Sequence, residues 1–495
     1  MARTAKIAPA DKDFCRAVAA AAFTNPFSDS FRQLTDSIVG DEQSPTLRQE
    51  AFARAIIARA DKFTAAGCAD FPSFAAADRE TMRRFFLYEI YQRFYQELDA
   101  LVVEQERAGD SSLKVRFARE ALAHLEMRGF DRQEAVRVFA IFYQIRRAHH
   151  FIVRGLKGRS ECMMNFRRNL WTSVFTHDIG WYERRLWNRM EDFSTLLLGE
   201  TGTGKGTAAA ALGRSGFIPF DDHRCVFTES FAASFISLNL SQYPETLIES
   251  ELFGHRKGAF TGAVEAHQGI FSRCSAHGAI FLDEIGDVSP PVQIKLLQIL
   301  QERVFTPVGS HERLRFQGRV IAATHRPVHE LRSRGLFRED FYYRLCSDTI
   351  TVPTLRERFR QDPMEREDLL EHVLSRIVGA PEPELAELVR RTLPEEYEWP
   401  GNVREFEQAI RRILITQHYS PASGSEPTDA LDRLLSQVKE GALDAEQLLS
   451  GYCRLLYERS RNFEAVARQT RLDRRTVKRY LGLQAGKPSP ENGVH

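Results

Sequence analysis

Seven residues in this chain could bind phosphate: Gly199-Glu200-Thr201-Gly202-Thr203-Gly204-Lys205. They follow the apolar run Thr195-Leu196-Leu197-Leu198 and precede a stretch rich in alanine from Ala208 to Leu212. Strand, glycine-rich loop and helix in that order is the context of a phosphate-binding loop. Its glycines let backbone N–H groups curl around phosphate oxygens, and the helix N-terminus adds its positive dipole end. Lys205 is placed to reach β- and γ-phosphates. Gly206 stands where a serine or threonine usually holds Mg²⁺, and Thr207 comes next. A second short strand, Gly278-Ala279-Ile280-Phe281-Leu282, ends in Asp283-Glu284. Adjacent carboxylates repel unless a cation joins them, and Mg²⁺ on a nucleotide is such a cation. Asp283 is the expected Mg²⁺ residue, and Glu284 is expected to orient and polarise the attacking water.

Other elements must bring these groups together. Arg319-Val320-Ile321-Ala322-Ala323-Thr324 reads as a further strand, ending at His325, where a polar side chain can contact a γ-phosphate. Phe337 to Arg344 carries Arg338 and Arg344, six residues apart. Arginine at the edge of such a unit can enter a neighbouring active site and stabilise transferring phosphate charge. Between the two acidic and glycine-rich motifs lies Gly258-Ala259-Phe260-Thr261-Gly262-Ala263. A helix is expected over Leu247–Phe253 and another from Gln268 to Cys274, which makes this loop a finger between helices with an aromatic in its middle.

The first 157 residues read as helical. Apolar stripes run from Arg83 to Ala108 and from Arg132 to Val153, and two such stripes need a bundle to bury them. His149 and His150 are adjacent and so face different ways, a poor metal pair even with His124 and Glu126 nearby. At the other end, a basic helix follows a tight step at Arg471-Leu472. Asp473 can cap it, and it presents Arg474, Arg475, Thr476, Lys478 and Arg479. Basic residues on one short helix after a tight turn suit phosphate contacts and guanine edges in double-stranded DNA. Pro421 to Pro427 reads as a polar linker. The net charge of +1 leaves any basic patch local. The seven cysteines form no CxxC pair, which suggests neither a zinc site nor a disulfide framework and fits a reducing cytoplasm. No apolar run reaches membrane-spanning length, so no membrane partner is expected.

Together these motifs resemble the sigma-54-dependent transcriptional activators, the bacterial enhancer-binding AAA+ ATPases. The most specific element is Glu249-Ser250-Glu251-Leu252-Phe253-Gly254-His255 followed by Gly258 to Ala263. The resemblance implies that this loop contacts sigma-54 and moves with the nucleotide state. It implies that Asn239 restrains Glu284, that Thr324 and His325 form sensor I, and that Arg338 and Arg344 act in trans. It also implies that Arg404, in Trp399-Pro400-Gly401-Asn402-Val403-Arg404-Glu405, touches nucleotide from a helical lid. A ring, usually a hexamer, with ATP and Mg²⁺ between subunits is implied, as are sigma-54 RNA polymerase holoenzyme and an upstream activator site as partners. Departures are Gly206 for glutamate, His325 for asparagine, and Arg471 for the turn glycine of the Fis-like helix-turn-helix. The segments Ile179–Asp192 and Phe217–Ala232 exceed the usual length and have no assigned role.

The expected fold is multidomain. An all-α N-terminal domain spans 1–157, with a regulatory or sensory role. An α/β P-loop AAA+ core spans 158–358 and its helical lid 359–420. A linker spans 421–440 and an all-α helix-turn-helix domain 441–495. A DNA-binding regulator with an idle ATPase would also keep the last helices, but it would not need Lys205, Asp283, Glu284, Arg338, Arg344 and Phe260-Thr261 all intact. A general AAA+ chaperone or helicase would leave the terminal DNA module unexplained.

Overall fold

The computed structural model describes residues 7–39, 45–380, 382–419 and 443–481, together with positions 434 and 438. The linker expected over 421–440 lies outside the described residues apart from those two positions. The chain forms two compact units. The larger runs to residue 387 and takes in 396–411; the smaller holds 388–395 and the chain from 412.

A five-stranded parallel sheet lies at the centre of the larger unit, in the order β4 (Phe235–Asn239), β5 (Ala279–Asp283), β8 (Arg319–Thr324), β1 (Thr195–Leu198), β9 (Asp348–Thr351). Short runs of Leu, Ile, Val and Ala suit strands buried on both faces. Asp348–Thr351 carries a single apolar residue, Ile350, at the sheet edge, and the sequence pattern did not single it out. Two small hairpins, β2 (Phe220–Asp221) with β3 (Val226–Phe227) and β6 (Val304–Phe305) with β7 (Leu314–Arg315), stand apart from the sheet. One sheet face packs on α9 (Glu245–Phe253), α10 (Ile270–Arg273), α11 (Pro290–Glu302) and α12 (Glu339–Leu345).

The other face is covered by α8 (Lys205–Gly213) and by the last of seven N-terminal helices, with the rest stacked behind. These are α1 (Pro9–Ala21), α2 (Asp29–Val39), α3 (Pro45–Ala65), α4 (Arg79–Ala108), α5 (Ala118–Met127), α6 (Arg132–Gly155) and α7 (Glu161–Phe175). The expected stripes on α4 and α6 are buried, and one continuous apolar cluster runs from Val18 and Phe86 through Phe139 to Ala208, Phe281 and Ile321. The helices of residues 1–157 therefore share their core with the sheet.

The two over-long segments help to join them. In the first, the Tyr182 hydroxyl donates to Gln144 Oε1 at 2.8 Å, and Glu183 pairs with Arg83 at 2.9 Å. In the second, Phe220, Phe227 and Phe231 meet Phe139, Tyr143 and Phe151 with ring centroids 4.9, 4.1 and 5.3 Å apart. The Val115 amide donates to the Cys225 carbonyl at 2.9 Å. An aromatic patch of this size beside the sheet needs a cover, and α6 supplies it.

After β9 come α13 (Leu355–Gln361), α14 (Met364–Val378) and α15 (Asn402–Thr416). Trp399 is fully buried against Phe406 at 5.0 Å. In the smaller unit, α16 (Ala445–Ser460), α17 (Phe463–Thr470) and α18 (Arg474–Tyr480) close over Cys453, Leu456, Val466 and Val477. Arg471 adopts the left-handed conformation, φ 56°, at the end of α17, so the tight step forms without glycine. Among the described residues no helix is long and apolar enough to cross a membrane.

Candidate nucleotide site and output loop

Parallel strands aim their carboxyl ends at one edge of the sheet, and the side chains that can do chemistry collect there. Gly202 and Gly204 take φ of 81° and 102°, a conformation that glycine adopts without strain, and α8 begins at Lys205. Thr201 to Thr207, Asn239, Asp283, Glu284, His325 and Arg404 all line one cavity of about 610 Å³. Gly199, Glu200 and Thr324 do not. The Glu200 carboxylate turns to Arg356 and accepts from Asn402 Nδ2 at 3.1 Å. The Arg356 hydrogen bond holds its pKa below the usual carboxylate value. Thr324 is buried, and its Oγ1 accepts from the Arg326 amide.

Lys205 Nζ donates to the Gly199 and Glu200 carbonyls at 2.9 and 3.1 Å. Burial lowers the Lys205 pKa while Glu284 and Asp283 oppose the shift. Burial and then the Glu284 charge raise the Asp283 pKa. This pocket is thus short of positive charge at its acidic end. A phosphate chain carrying a divalent cation fits it, with the phosphates on the loop amides and Lys205 and the cation at Asp283. Among the described residues no group of three or more His, Cys, Asp or Glu could hold a metal on protein ligands alone. Gly206 has open space: a Cβ there would meet nothing nearer than Phe281 Cε1 at 4.0 Å.

Asn239 does not hold Glu284. The β4–β5 register sets Asn239 beside Asp283, whose Oδ2 accepts from Asn239 Nδ2 at 3.4 Å. Its own Oδ1 is taken by the Ser241 amide and hydroxyl. Glu284 has a left-handed backbone, φ 59°, and pairs instead with His325 Nδ1 at 2.7 Å. His325, itself a departure from asparagine, thus makes the contact with Glu284 that was expected of Asn239. Arg338 and Arg344 lie outside the cavity. Arg338 is exposed and paired with Asp340 at 2.7 Å, and Arg344 Nε donates to the Leu300 carbonyl.

The cavity has walls that sequence reasoning missed: Gly155, Leu156 and Phe166 before the sheet, and His372, Arg376 and Glu407 after it. No motif marks them, because they come from helices distant in sequence. The lid motif is latched to the phosphate loop. The Asn402 side chain donates to the Thr201 carbonyl at 3.1 Å, and a Cβ on Gly202 would collide with the Gly401 carbonyl.

The Gly258–Ala263 loop projects between α9 and α10, as expected. Gly258 and Gly262 have φ of 81° and 102°, and the Gly258 amide closes the loop on the Ala263 carbonyl at 2.8 Å. Phe260 is 38% exposed and leans edge-on against His255 at 4.9 Å. His255 anchors the base: its Nε2 donates to the Glu265 carbonyl at 3.0 Å, so Nδ1 accepts from the Ser250 hydroxyl at 2.7 Å. The loop joining β6 to β7 braces it from the side. The Val308 amide donates to Gly254, the Arg256 amide donates to Val308, and Arg256 pairs with Glu312 at 2.9 Å.

In the smaller unit, the Asp473 carboxylate caps α18 by accepting from the Arg475 and Thr476 amides. Arg474, Arg475 and Arg479 are exposed. Lys478 lies over the Phe463 ring at 5.5 Å, and Thr476 is half-buried.

Residues 184–351 match the model of the sigma-54 interaction domain, a group of AAA+ ATPases. The Nif-specific regulatory protein of Azotobacter vinelandii is 42% identical over 222 residues, 45% of this chain and 40% of that protein. The transcriptional regulatory protein ZraR of Salmonella typhimurium is 40% identical over 233 residues, 46% of this chain and 49% of that protein. Among solved structures, NtrX from Brucella abortus aligns with 74% of this chain and 78% of its own at 19% identity and a TM-score of 0.40. The chain spans about half the length, or less, of the curated relatives it matches. Through this shared domain the chain is identified as a relative of the sigma-54-dependent transcriptional regulators.

Proposed function

We propose that the chain is a sigma-54-dependent transcriptional regulator that binds DNA through α18 and couples ATP hydrolysis to promoter opening. The observation that carries this reading is a single cavity gathering the phosphate loop, Asp283-Glu284, His325 and Arg404, on the same sheet that carries the braced Phe260 loop. Bound Mg²⁺–ATP supplies the cleavable phosphoanhydride and the charge that Asp283 lacks. Lys205 and the loop amides hold the phosphates, Glu284 positions the water, and His325 fixes the glutamate carboxylate. Arg404 reaches the cavity from the lid. Arg338 and Arg344, exposed outside it, suit donation to a neighbouring subunit in a ring, expected to be a hexamer. Asn239 acts beside Asp283 in this reading.

Nucleotide state alters Glu284 and the lid, and the change reaches the Gly258–Ala263 loop through α9 and the β6–β7 loop. Sigma-54 RNA polymerase holoenzyme is the target of Phe260 and Thr261. An upstream activator site in double-stranded DNA is the target of Arg474, Arg475, Thr476, Lys478 and Arg479. The deciding experiment is ATPase and open-complex formation at a sigma-54 promoter for the full chain beside Lys205→Ala. Both activities are expected to vanish in the variant while DNA binding persists. Promoter opening by Lys205→Ala, or a wild-type chain without ATPase, would overturn the reading.

A further inference from the structure

Glu284 is held by a residue whose side chain has a single proton to give. His325 Nδ1 lies 2.7 Å from Glu284 Oε2, and the His325 backbone amide donates to the same oxygen at 3.2 Å. A carboxylate only accepts, so Nδ1 carries the proton of the shorter bond. A neutral imidazole has one N–H, which leaves Nε2 with a bare lone pair. Nε2 has no partner among the described residues, and the side chain is 43% exposed. His325 lines the nucleotide cavity together with Thr201 to Thr207. The strand that ends just before it, β8, pairs directly with β1, the strand that leads into the phosphate loop. Asn239 is not free to stand in for it. Its Oδ1 accepts from the Ser241 amide and hydroxyl, and its Nδ2 faces Asp283.

We propose that Glu284 and the γ-phosphate of ATP compete for the one side-chain proton of His325, so that a γ-phosphate releases Glu284 and ADP does not. This rests on the ATPase reading above and adds how the site tells the two nucleotides apart. In the resting site the proton sits on Nδ1 and the carboxylate accepts it. A γ-phosphate beside the ring needs the proton on Nε2. Nδ1 then gives its proton to solvent and Nε2 takes one from solvent, with no net change of charge. Nδ1 now presents a lone pair to Glu284 Oε2, and two acceptors facing each other repel. The released carboxylate has lost an N–H donor, which makes it a stronger base toward the attacking water. ADP offers no oxygen at that place and leaves the pair intact. An asparagine amide carries two N–H on one nitrogen and could serve both acceptors together, so the exclusive choice comes from the imidazole. His325 is thus a positioning residue for Glu284 whose hold depends on the nucleotide.

The test is a double-mutant cycle read by calorimetry on the full chain, with Mg²⁺–ADP and with the Mg²⁺ complex of the non-hydrolysable imido analogue of ATP. It is run at about pH 8, where an imidazole is ordinarily neutral. In wild type, binding the analogue breaks the Glu284–His325 pair. Glu284→Ala removes that cost and should tighten the analogue. In the His325→Ala background the same change removes only the repulsion between carboxylate and phosphate. The tightening should therefore be about tenfold larger with His325 present, while ADP affinity stays within about twofold throughout. Structures of the full chain with each nucleotide give a second readout. The 2.7 Å contact should persist with ADP and be replaced by a contact from Nε2 to the γ-phosphate with the analogue. Equal or smaller tightening with His325 present, or a ring touching Glu284 and the γ-phosphate together, would overturn the exchange alone. A wild-type chain that binds neither nucleotide would overturn the exchange and the ATPase reading together.

Discussion

Arg147 is a fully buried cation with no ion pair among the described residues, and replacing it puts a number on the joint between the helical region and the phosphate-loop helix. Its guanidinium donates to the Arg214 and Gly216 carbonyls and stacks on Tyr143 with 4.7 Å to the centroid. Two hydrogen bonds from a charged donor stabilise by about 3–6 kcal/mol together. Against this, burial drops its pKa from 12.5 to about 10, so holding the charge costs about 3 kcal/mol. Arg147→Met loses the bonds and also the cost, for a net loss of about 0–3 kcal/mol. Arg147→Lys keeps a buried charge but can reach only one carbonyl at a time, so it should destabilise at least as much as methionine. The readout is native-state hydrogen exchange of the amides from Ala208 to Gly216, which reports local opening without assuming two-state unfolding of the chain. Lysine protection equal to wild type, or a methionine loss above about 5 kcal/mol, would show that the fork geometry and the cost of the lone charge have been misjudged.

Three further outcomes follow from the geometry. Thr261→Ala lies in the Gly258–Ala263 loop outside the nucleotide cavity, so under the proposed function ATPase should stay within about twofold of wild type while open-complex formation is lost; full transcription would return the loop to an ordinary turn. Arg474→Ala with Lys478→Ala removes two cations from α18 and should lower the slope of log binding constant against log salt by about 2; an unchanged slope in filter binding would count against α18 as the DNA element. His149 is held neutral, first by burial and then by the Arg146 and His150 charges, at about 3 against an ordinary value of 6.5. Its folded pKa is depressed, so the unfolded chain binds the extra proton, and stability is lost as pH falls below about 6.5. Between pH 7 and 5 this amounts to about 1–2 kcal/mol, reduced from the full shift because the ring is partly accessible. His149→Gln should flatten that part of the urea-midpoint profile, and parallel profiles would exclude the histidine as its source.

Much of the site was legible in the chain because its chemistry is local in sequence. The phosphate loop, the acidic pair after a strand and the glycine-bounded loop each need particular residues at fixed spacing, so their types suffice to mark them. The same holds for the α4 and α6 stripes and for Asp473 as a cap. What the sequence alone did not determine depends on register and on contacts between distant segments. Parallel pairing put Asn239 beside Asp283, and the left-handed turn at Glu284 carried its carboxylate to His325. The P-loop glutamate, Glu200, left the cavity because Arg356 and Asn402 meet it from elsewhere in the chain. The segments around Tyr182 and Phe227 looked like unexplained length, since their partners lie on α4, on α6 and in the chain between α4 and α5. Only packing turned them into the seam that joins the helices to the sheet. Motifs are written in side-chain type and spacing, whereas a joint between two surfaces is written in shape, and shape exists only once the chain has folded.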